Sequence, residues 1–267
     1  MIEFCIMALR AGVRGRTIQA ILALGVFLMG IAYLSASFSP RQPQTVALDV
    51  GFSFLRVTLV LLGLFWVQEL IAKEIERRTV VFAVSYPVSR SAYLLGRACG
   101  IALLLGVAAM GLAVLLWVAA TIAGISYAQQ HAIQLGGAFW IATAGIWLDA
   151  VIVCAFGVFL ATISTVSVLP LALGICFAVA GKGLGLARSY VLAGADGDDR
   201  LVAQMAPWLE IIRWLLPDLS RLDWRAWPMY GLEPDPAAMA WAVAAVVAYG
   251  ALMLSLACRS FGRREFS

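Results

Sequence analysis

Apolar residues in this chain come in long, nearly unbroken runs rather than in the short stripes of soluble helices and strands. A helix rises about 1.5 Å per residue, so a hydrocarbon layer of about 30 Å needs about 20 apolar residues. Six runs meet that demand: 17–38, 50–72, 91–122, 136–162, 166–187 and 236–258. The third and fourth exceed it, which predicts tilted helices or ends that project into water. The first is too long for a signal-peptide core and has no small-residue cleavage site behind it, so it is expected to remain as a span. The fold expected is an all-α integral membrane protein with six transmembrane helices, a single transmembrane domain over 1–267.

Three polar stretches punctuate the runs. Residues 1–16 mix Ile2, Phe4, Ile6, Met7 and Leu9 with Arg10, Arg14 and Arg16, the pattern of an N-terminal interfacial helix; a frayed basic tail is the alternative. Residues 73–90 hold the densest charge cluster, Glu74, Glu76, Arg77 and Arg78, followed by Pro87, Ser89 and Arg90. The third stretch, 188–235, begins with a loop by composition around Asp196–Asp199. Residues 201–216 then show helical periodicity, with Met205, Trp208, Ile212 and Leu215 on one stripe. Pro217 ends that helix. Trp224, Trp227 and Tyr230 follow, interrupted by Pro228. Tryptophan and tyrosine favour the headgroup layer, so short helices at or dipping into the outer leaflet are expected here.

Composition agrees. Hydrophobic residues make up 63%, mean hydropathy is +0.94, and charged residues reach only 13%, about half the soluble average of roughly 25%. The charge distribution orients the chain. Both termini share one side, which carries Arg10, Arg14, Arg16, Lys73, Arg77, Arg78, Arg90, Arg97, Arg259, Arg263 and Arg264. The first loop opposite has only Arg41, and the loop around His131 has no lysine or arginine. The long segment before span six holds eight acids from Asp196 to Asp235, and long loops translocate largely regardless of charge. Both termini and residues 73–90 are therefore expected in the cytoplasm.

Candidate chemistry is sparse. Cys5, Cys99, Cys154, Cys176 and Cys258 form no C-x-x-C pair and read as small apolar packing residues. Gly181-Lys182-Gly183 lacks the earlier glycine of a phosphate loop, where Cys176 stands, and the hydroxyl residue after the lysine. With one histidine, His131, a two-histidine metal site cannot be built. No serine sits in a G-x-S-x-G elbow, so neither enzymatic activity nor a cofactor in this chain is expected. Gly96-x-x-x-Gly100 and Gly181-x-x-x-Gly185 match the close-packing pattern of membrane helices.

Two ionisable residues fall inside runs. Asp149 lies about 19 Å from the outer boundary of the fourth and Arg56 about 9 Å from that of the second, at 1.5 Å per residue. Buried charges suggest a pathway or a pair. Arg56 and Asp149 either form an intramembrane polar pair, or Arg56 snorkels outward and Asp149 is neutral or bonded to a neighbouring helix.

The segment after the second run carries a resemblance. Glu74 and Glu76 precede Thr79; Val80 to Val84 follow, then Pro87-Val88-Ser89-Arg90 and Leu95-Gly96-Arg97. This is similar to the signature of ABC-type export permeases of the type-2 class, the type V exporter fold. Arg78 stands where that family usually has glycine, and Arg97 where it has lysine. The six runs, the interfacial helix, Leu216-Pro217-Asp218-Leu219-Ser220 and the closing Phe261-Gly262-Arg263-Arg264-Glu265-Phe266 also resemble it, so the likeness covers nearly the whole length.

The resemblance implies a membrane-spanning permease subunit in a bacterial inner membrane. Residues 73–90 would form the coupling segment, with Glu74, Glu76, Arg77, Arg78, Thr79, Pro87, Ser89 and Arg90 seated on a separate ATPase. Two ATPase copies would bind ATP and Mg, and a second permease chain, identical or different, would complete the pathway among membrane lipid. No nucleic acid is involved. A hydrophobic or amphiphilic substrate fits apolar spans with few buried charges. Trp208, Trp214, Pro217 and Trp224 would serve an outer gate or a docking platform. The alternative is a non-transporting scaffold or mechanotransmission subunit acting on an outer partner.

Overall fold

The computed structural model describes residues 2–39, 41–77, 89–124, 132–193, 197 and 199–263, and every regular element among them is a helix. In chain order these are α1 (Ile2–Arg14), α2 (Arg16–Ser37), α3 (Pro43–Val67), α4 (Arg90–Ala123), α5 (Gly137–Ile163), α6 (Leu169–Leu192), α7 (Asp199–Leu215), a 3₁₀ turn (Leu219–Leu222), α8 (Ala226–Tyr230) and α9 (Pro236–Arg263). Six of them, α2 to α6 and α9, are long and apolar enough to cross a membrane. At 13 residues, α1 reaches about 20 Å and is too short to do so.

Three boundaries differ from the sequence reading for identifiable reasons. α3 starts at Pro43 rather than near residue 50, since proline at the first helical position has its φ pre-set and no N–H to leave unpaired. Nor does it stop at residue 72. A π-helical turn, Gln68–Ala72, leads into a last α-turn, Lys73–Glu76, so Pro43–Glu76 is one 34-residue rod. α6 starts at Leu169 because Ser164 closes a local turn. Its hydroxyl accepts from the Val166 N–H at 3.0 Å and donates to the Val166 carbonyl at 2.7 Å, competing with the helix ladder.

The α3 rod and α5 form the centre. Their apolar windows are 61% and 67% buried, against 22% for α2 and 17% for α9. Glycines let them meet closely: a Cβ on Gly63 would lie 2.2 Å from Cys154 Sγ of α5, and one on Gly51 would lie 2.1 Å from Leu116 of α4. α1 lies along α4, where Gly100 leaves room for Ala8, and the Trp66 indole donates to the Gly12 carbonyl at 3.0 Å. Of the pair Gly96 and Gly100, then, Gly100 is a true close contact, with α1 as its partner.

At the end opposite α1, the chain between α7 and α8 re-enters the bundle. Leu219, Leu222, Trp224 and Met229 all belong to the core. The second glycine pair makes the room. A Cβ on Gly181 would meet Leu219 and one on Gly185 would meet Ser220, while Gly145 of α5 faces the Leu222 carbonyl at 2.4 Å from its would-be Cβ. Gly145 is about 12 Å into α5 and Gly181 about 16 Å from the end of α6, so the segment reaches well below the helix ends. Irregular backbone is tolerated at that depth only when enclosed by protein. Asp218 helps enclose it, its Oδ1 accepting from the Ser220 N–H at 3.2 Å and the Ser220 hydroxyl at 2.5 Å.

α7 ends just before Pro217, as expected, and runs through Pro207. Of its stripe, Met205, Trp208 and Ile212 are exposed. Replacing Gly63 with Val should lower stability in detergent by about 2 kcal/mol, because the core offers no space for the added atoms. Gly111→Val, at a site with no neighbour within 4 Å, should change it by less than about 0.5 kcal/mol. Equal melting temperatures for the two variants would contradict this packing.

Candidate functional site

Two polar clusters interrupt the apolar bundle, one at the Glu76 end of the α3 rod and one reaching about 20 Å in from its Pro43 end. The first is built around Glu74, which the π-turn keeps in helical register at the foot of the rod. Its carboxylate accepts the Tyr93 hydroxyl at 2.5 Å and Arg97 Nη2 at 2.6 Å, both from α4. The Tyr93 ring stands edge-on to Phe4 of α1 at 5.4 Å and stacks on Phe261 of α9 at 5.9 Å. The Arg97 guanidinium lies 5.6 Å from the Tyr93 ring centroid. Four helices therefore meet through one carboxylate and one phenol. Arg90 adds a further tie, donating from Nη1 to the Gly262 carbonyl at 3.1 Å.

Of the expected coupling residues, Glu74 and Arg90 are thus engaged within the chain. Ser89 caps α4, its hydroxyl accepting from the Ala92 N–H at 3.3 Å, which explains a serine just before the helix. Glu76 and Arg77 are exposed. Arg78, Thr79 and Pro87 lie outside the described residues. Arg97 is 8% exposed, and its Nε is buried with no hydrogen-bond partner among the described residues.

The second cluster brings Arg56 and Asp149 together. Arg56 Nε donates to Asp149 Oδ2, and Nη2 donates to the Ala178 carbonyl at 3.3 Å. Of the two arrangements the sequence left open, the structure has the pair. The mismatch in depth disappears with the true start of α3: counted from Pro43, Arg56 is about 20 Å along its helix, and Asp149 is about 18 Å along α5. The pair does not stand alone. Lys182 of α6 reaches Asp223 Oδ2 at 2.7 Å, and Arg225 grips the same carboxylate at 2.6 and 2.9 Å. Arg225 also donates to Ser53 Oγ at 2.8 Å and lies 3.6 Å from Asp49.

Three cations and three carboxylates from α3, α5, α6 and the re-entrant segment so form a charge-balanced cluster. It surrounds a cavity of about 10 Å³ lined by Arg56, Asp149, Lys182, Asp223 and Arg225, about the least that holds one water. Asp149 Oδ1 is buried with no protein partner among the described residues. Burial alone would raise the Asp223 carboxyl, but hydrogen bonds from Arg225 and Lys182 outweigh it and hold it at about 2. Burial likewise works against the Arg225 cation, yet Asp223 holds it above its ordinary value.

The residues expected from sequence to form a gate or docking platform do not converge. Trp208 is exposed on α7, whereas Trp224 is buried, with its ring against Gly145. Pro217 places its carbonyl beside Gly181, and Trp214 lies on α7. Sequence reasoning missed Tyr93 and Phe261 in the first cluster and Asp49, Lys182, Asp223 and Arg225 in the second. The available signal for Lys182 was a lone cation inside an apolar run. Among the described residues, no group of three or more His, Cys, Asp or Glu side chains is placed to hold a metal ion. Compared with known proteins, the chain matches no family profile and no curated protein.

Removing one member of the buried pair leaves the other uncompensated. Asp149→Ala should destabilise by about 3 kcal/mol, and Arg56→Met with Asp149→Leu should recover most of the loss, as read from unfolding in detergent. A single replacement costing no more than the double one would show that the pair carries no net interaction. The second cluster has an acid signature. Because Asp223 is held below its ordinary 3.8, its contribution is complete above that pH and lost only as pH falls toward about 2. Trypsin cleavage at Arg221 and Arg225 should hence be equally slow at pH 8 and pH 6 after correction for protease activity. Asp223→Asn should speed it about tenfold at both, as expected for losing a charged hydrogen bond.

Proposed function

We propose that the chain is the membrane-spanning permease subunit of an ATP-driven ABC exporter, with residues 73–90 docking on a separate ATPase. The observation that carries this reading is the Glu74 cluster. The charged stretch leaves α3 and returns to α4 at the end shared by α1 and the last turns of α9. Directly behind it, Glu74, Tyr93, Arg97 and Phe261 join α1, α3, α4 and α9. Exposed Glu76 and Arg77 supply the docking charge, and a force applied between residues 77 and 89 acts on all four helices.

In this reading both termini are cytoplasmic in a bacterial inner membrane. α1 lies in the interface with Ile6, Met7 and Arg10 exposed, and α7, the 3₁₀ turn and α8 form the outer segment. Two permease chains and two ATPases make the transporter, and ATP and Mg belong to the ATPases. A groove of about 280 Å³ between α4, α5 and α9, walled by Leu95, Ala98, Cys99, Val151, Cys154 and Leu254, favours a hydrophobic or amphiphilic substrate. One observation favours the second reading, a mechanotransmission scaffold: Met205, Trp208 and Ile211 are exposed together on α7, a surface suited to an outer partner.

Co-expression with an ATPase encoded beside this chain tests the proposal. Arg77→Glu should reduce recovery of the ATPase about tenfold, the loss of one charge-assisted contact. Glu74→Ala should leave the ATPase bound and lower its stimulation by the permease. Undiminished recovery with both Arg77→Glu and Glu76→Lys would overturn the docking assignment. ATPase stimulation without substrate movement in reconstituted vesicles would favour the scaffold.

A further inference from the structure

A groove of about 720 Å³ lies between the last turn of α5 and the last turns of α9. It is separate from both polar clusters. Phe159, Ile163 and Leu256 give it an apolar wall, while Thr165, Ser260, Arg259 and Arg263 give it donors. Its lining residues include two guanidinium groups and no carboxylate. Neither arginine has an ion-pair partner among the described residues. Four residues apart on one helix, they stand on the same face about 6 Å apart along the axis.

We infer that this groove binds the headgroup of an anionic phospholipid from the leaflet on the side of the termini. The wall changes from apolar to cationic toward the helix ends, which is the polarity profile of a lipid standing in its own leaflet. Guanidinium forks match phosphate oxygens in pairs, and hydroxyls supply the remaining donors. Basic pockets between membrane helices are suited to such headgroups. A protein segment would leave the apolar wall beside lipid tails uncovered, and a free phosphate would make no use of it. The inference needs only that the six long helices cross a membrane; it stands apart from the exporter reading.

The test uses the full chain, purified in neutral detergent and examined by native mass spectrometry with dioleoyl phosphatidylglycerol or dioleoyl phosphatidylcholine. The parent should retain phosphatidylglycerol at least about tenfold better. Each of Arg259→Gln and Arg263→Gln should weaken that retention about fivefold, the share of one basic residue at an anionic surface. Arg259→Lys should keep part of it, and this variant guards against simple loss of fold. Arg10→Gln, which removes an exposed charge from α1 at the same end, should leave retention unchanged. Equal retention of both lipids by the parent would overturn the inference, and so would an Arg10→Gln effect as large as those in the groove. Displacement of the lipid by millimolar inorganic phosphate would reassign the groove to a soluble anion.

Discussion

A charge held in hydrocarbon costs several kcal/mol unless it is paired and hydrogen-bonded, and this bundle holds five of them around one small cavity. That requirement organises the half of the bundle opposite α1. Arg56 needs Asp149, so α3 and α5 must present them at equal depth, which fixes the axial register of the two central helices. Lys182 and Arg225 need Asp223, so the segment before α9 must enter the bundle far enough to deliver it. Delivery in turn is eased by glycine at 145, 181 and 185, where a Cβ would meet the Leu222 carbonyl, the Leu219 side chain and the Ser220 side chain of the entering segment. Much of what is irregular in this fold follows from neutralising those charges.

The other end of α3 solves a different problem. Glu74 lies at the edge of the apolar region, where water could satisfy it, yet it is bonded to Tyr93 and Arg97. The interaction is therefore less a requirement of solvation than a means of joining helices. Tyr93 is 1% exposed and sandwiched by aromatic rings from α1 and α9. Its hydroxyl is the one polar atom it must satisfy, and Glu74 is within reach because the π-turn extends α3 by a further turn. Arginine at 97 fits that arrangement through its length and its cation–π contact with Tyr93, neither of which a charge count reveals.

The six apolar runs and their order were legible because the bilayer demands continuous apolar length, a property that sequence displays directly. Depth was less so. An error of seven residues in the start of α3 made Arg56 look about 10 Å too shallow to meet Asp149, although Pro43 marked the true start. The re-entrant segment was legible only in part. Gly181 and Gly185 signalled a close neighbour, but a small-residue pair carries no information about whether a helix or a loop fills the space. Trp224 was read as an interfacial residue by type, whereas its position beside Gly145 makes it part of the core. Lys182 stands in a stretch that matches a nucleotide motif only in part, and its partner lies 41 positions later in sequence, beyond any local pattern.

Because α3 holds a member of each polar cluster, the two ends are mechanically related. Arg56 and Glu74 are 18 residues apart on one rod, about 27 Å. An α-helix is stiff along its axis, so a displacement of Glu74 along the rod has two destinations. It is either absorbed locally or passed to Arg56, where the pair with Asp149 resists it. The π-turn at Gln68–Ala72 is the only departure from α-helical geometry within the rod, and such turns are frequent at functional positions. Gln68, Leu70, Ile71 and Ala72 are all buried there, so any change in its winding would have to repack the centre of the bundle. Tight cores resist gradual deformation and favour discrete arrangements. A rod with a π-turn near its foot and a buried ion pair about 20 Å in from its other end is thus suited to switch between two registers rather than to slide.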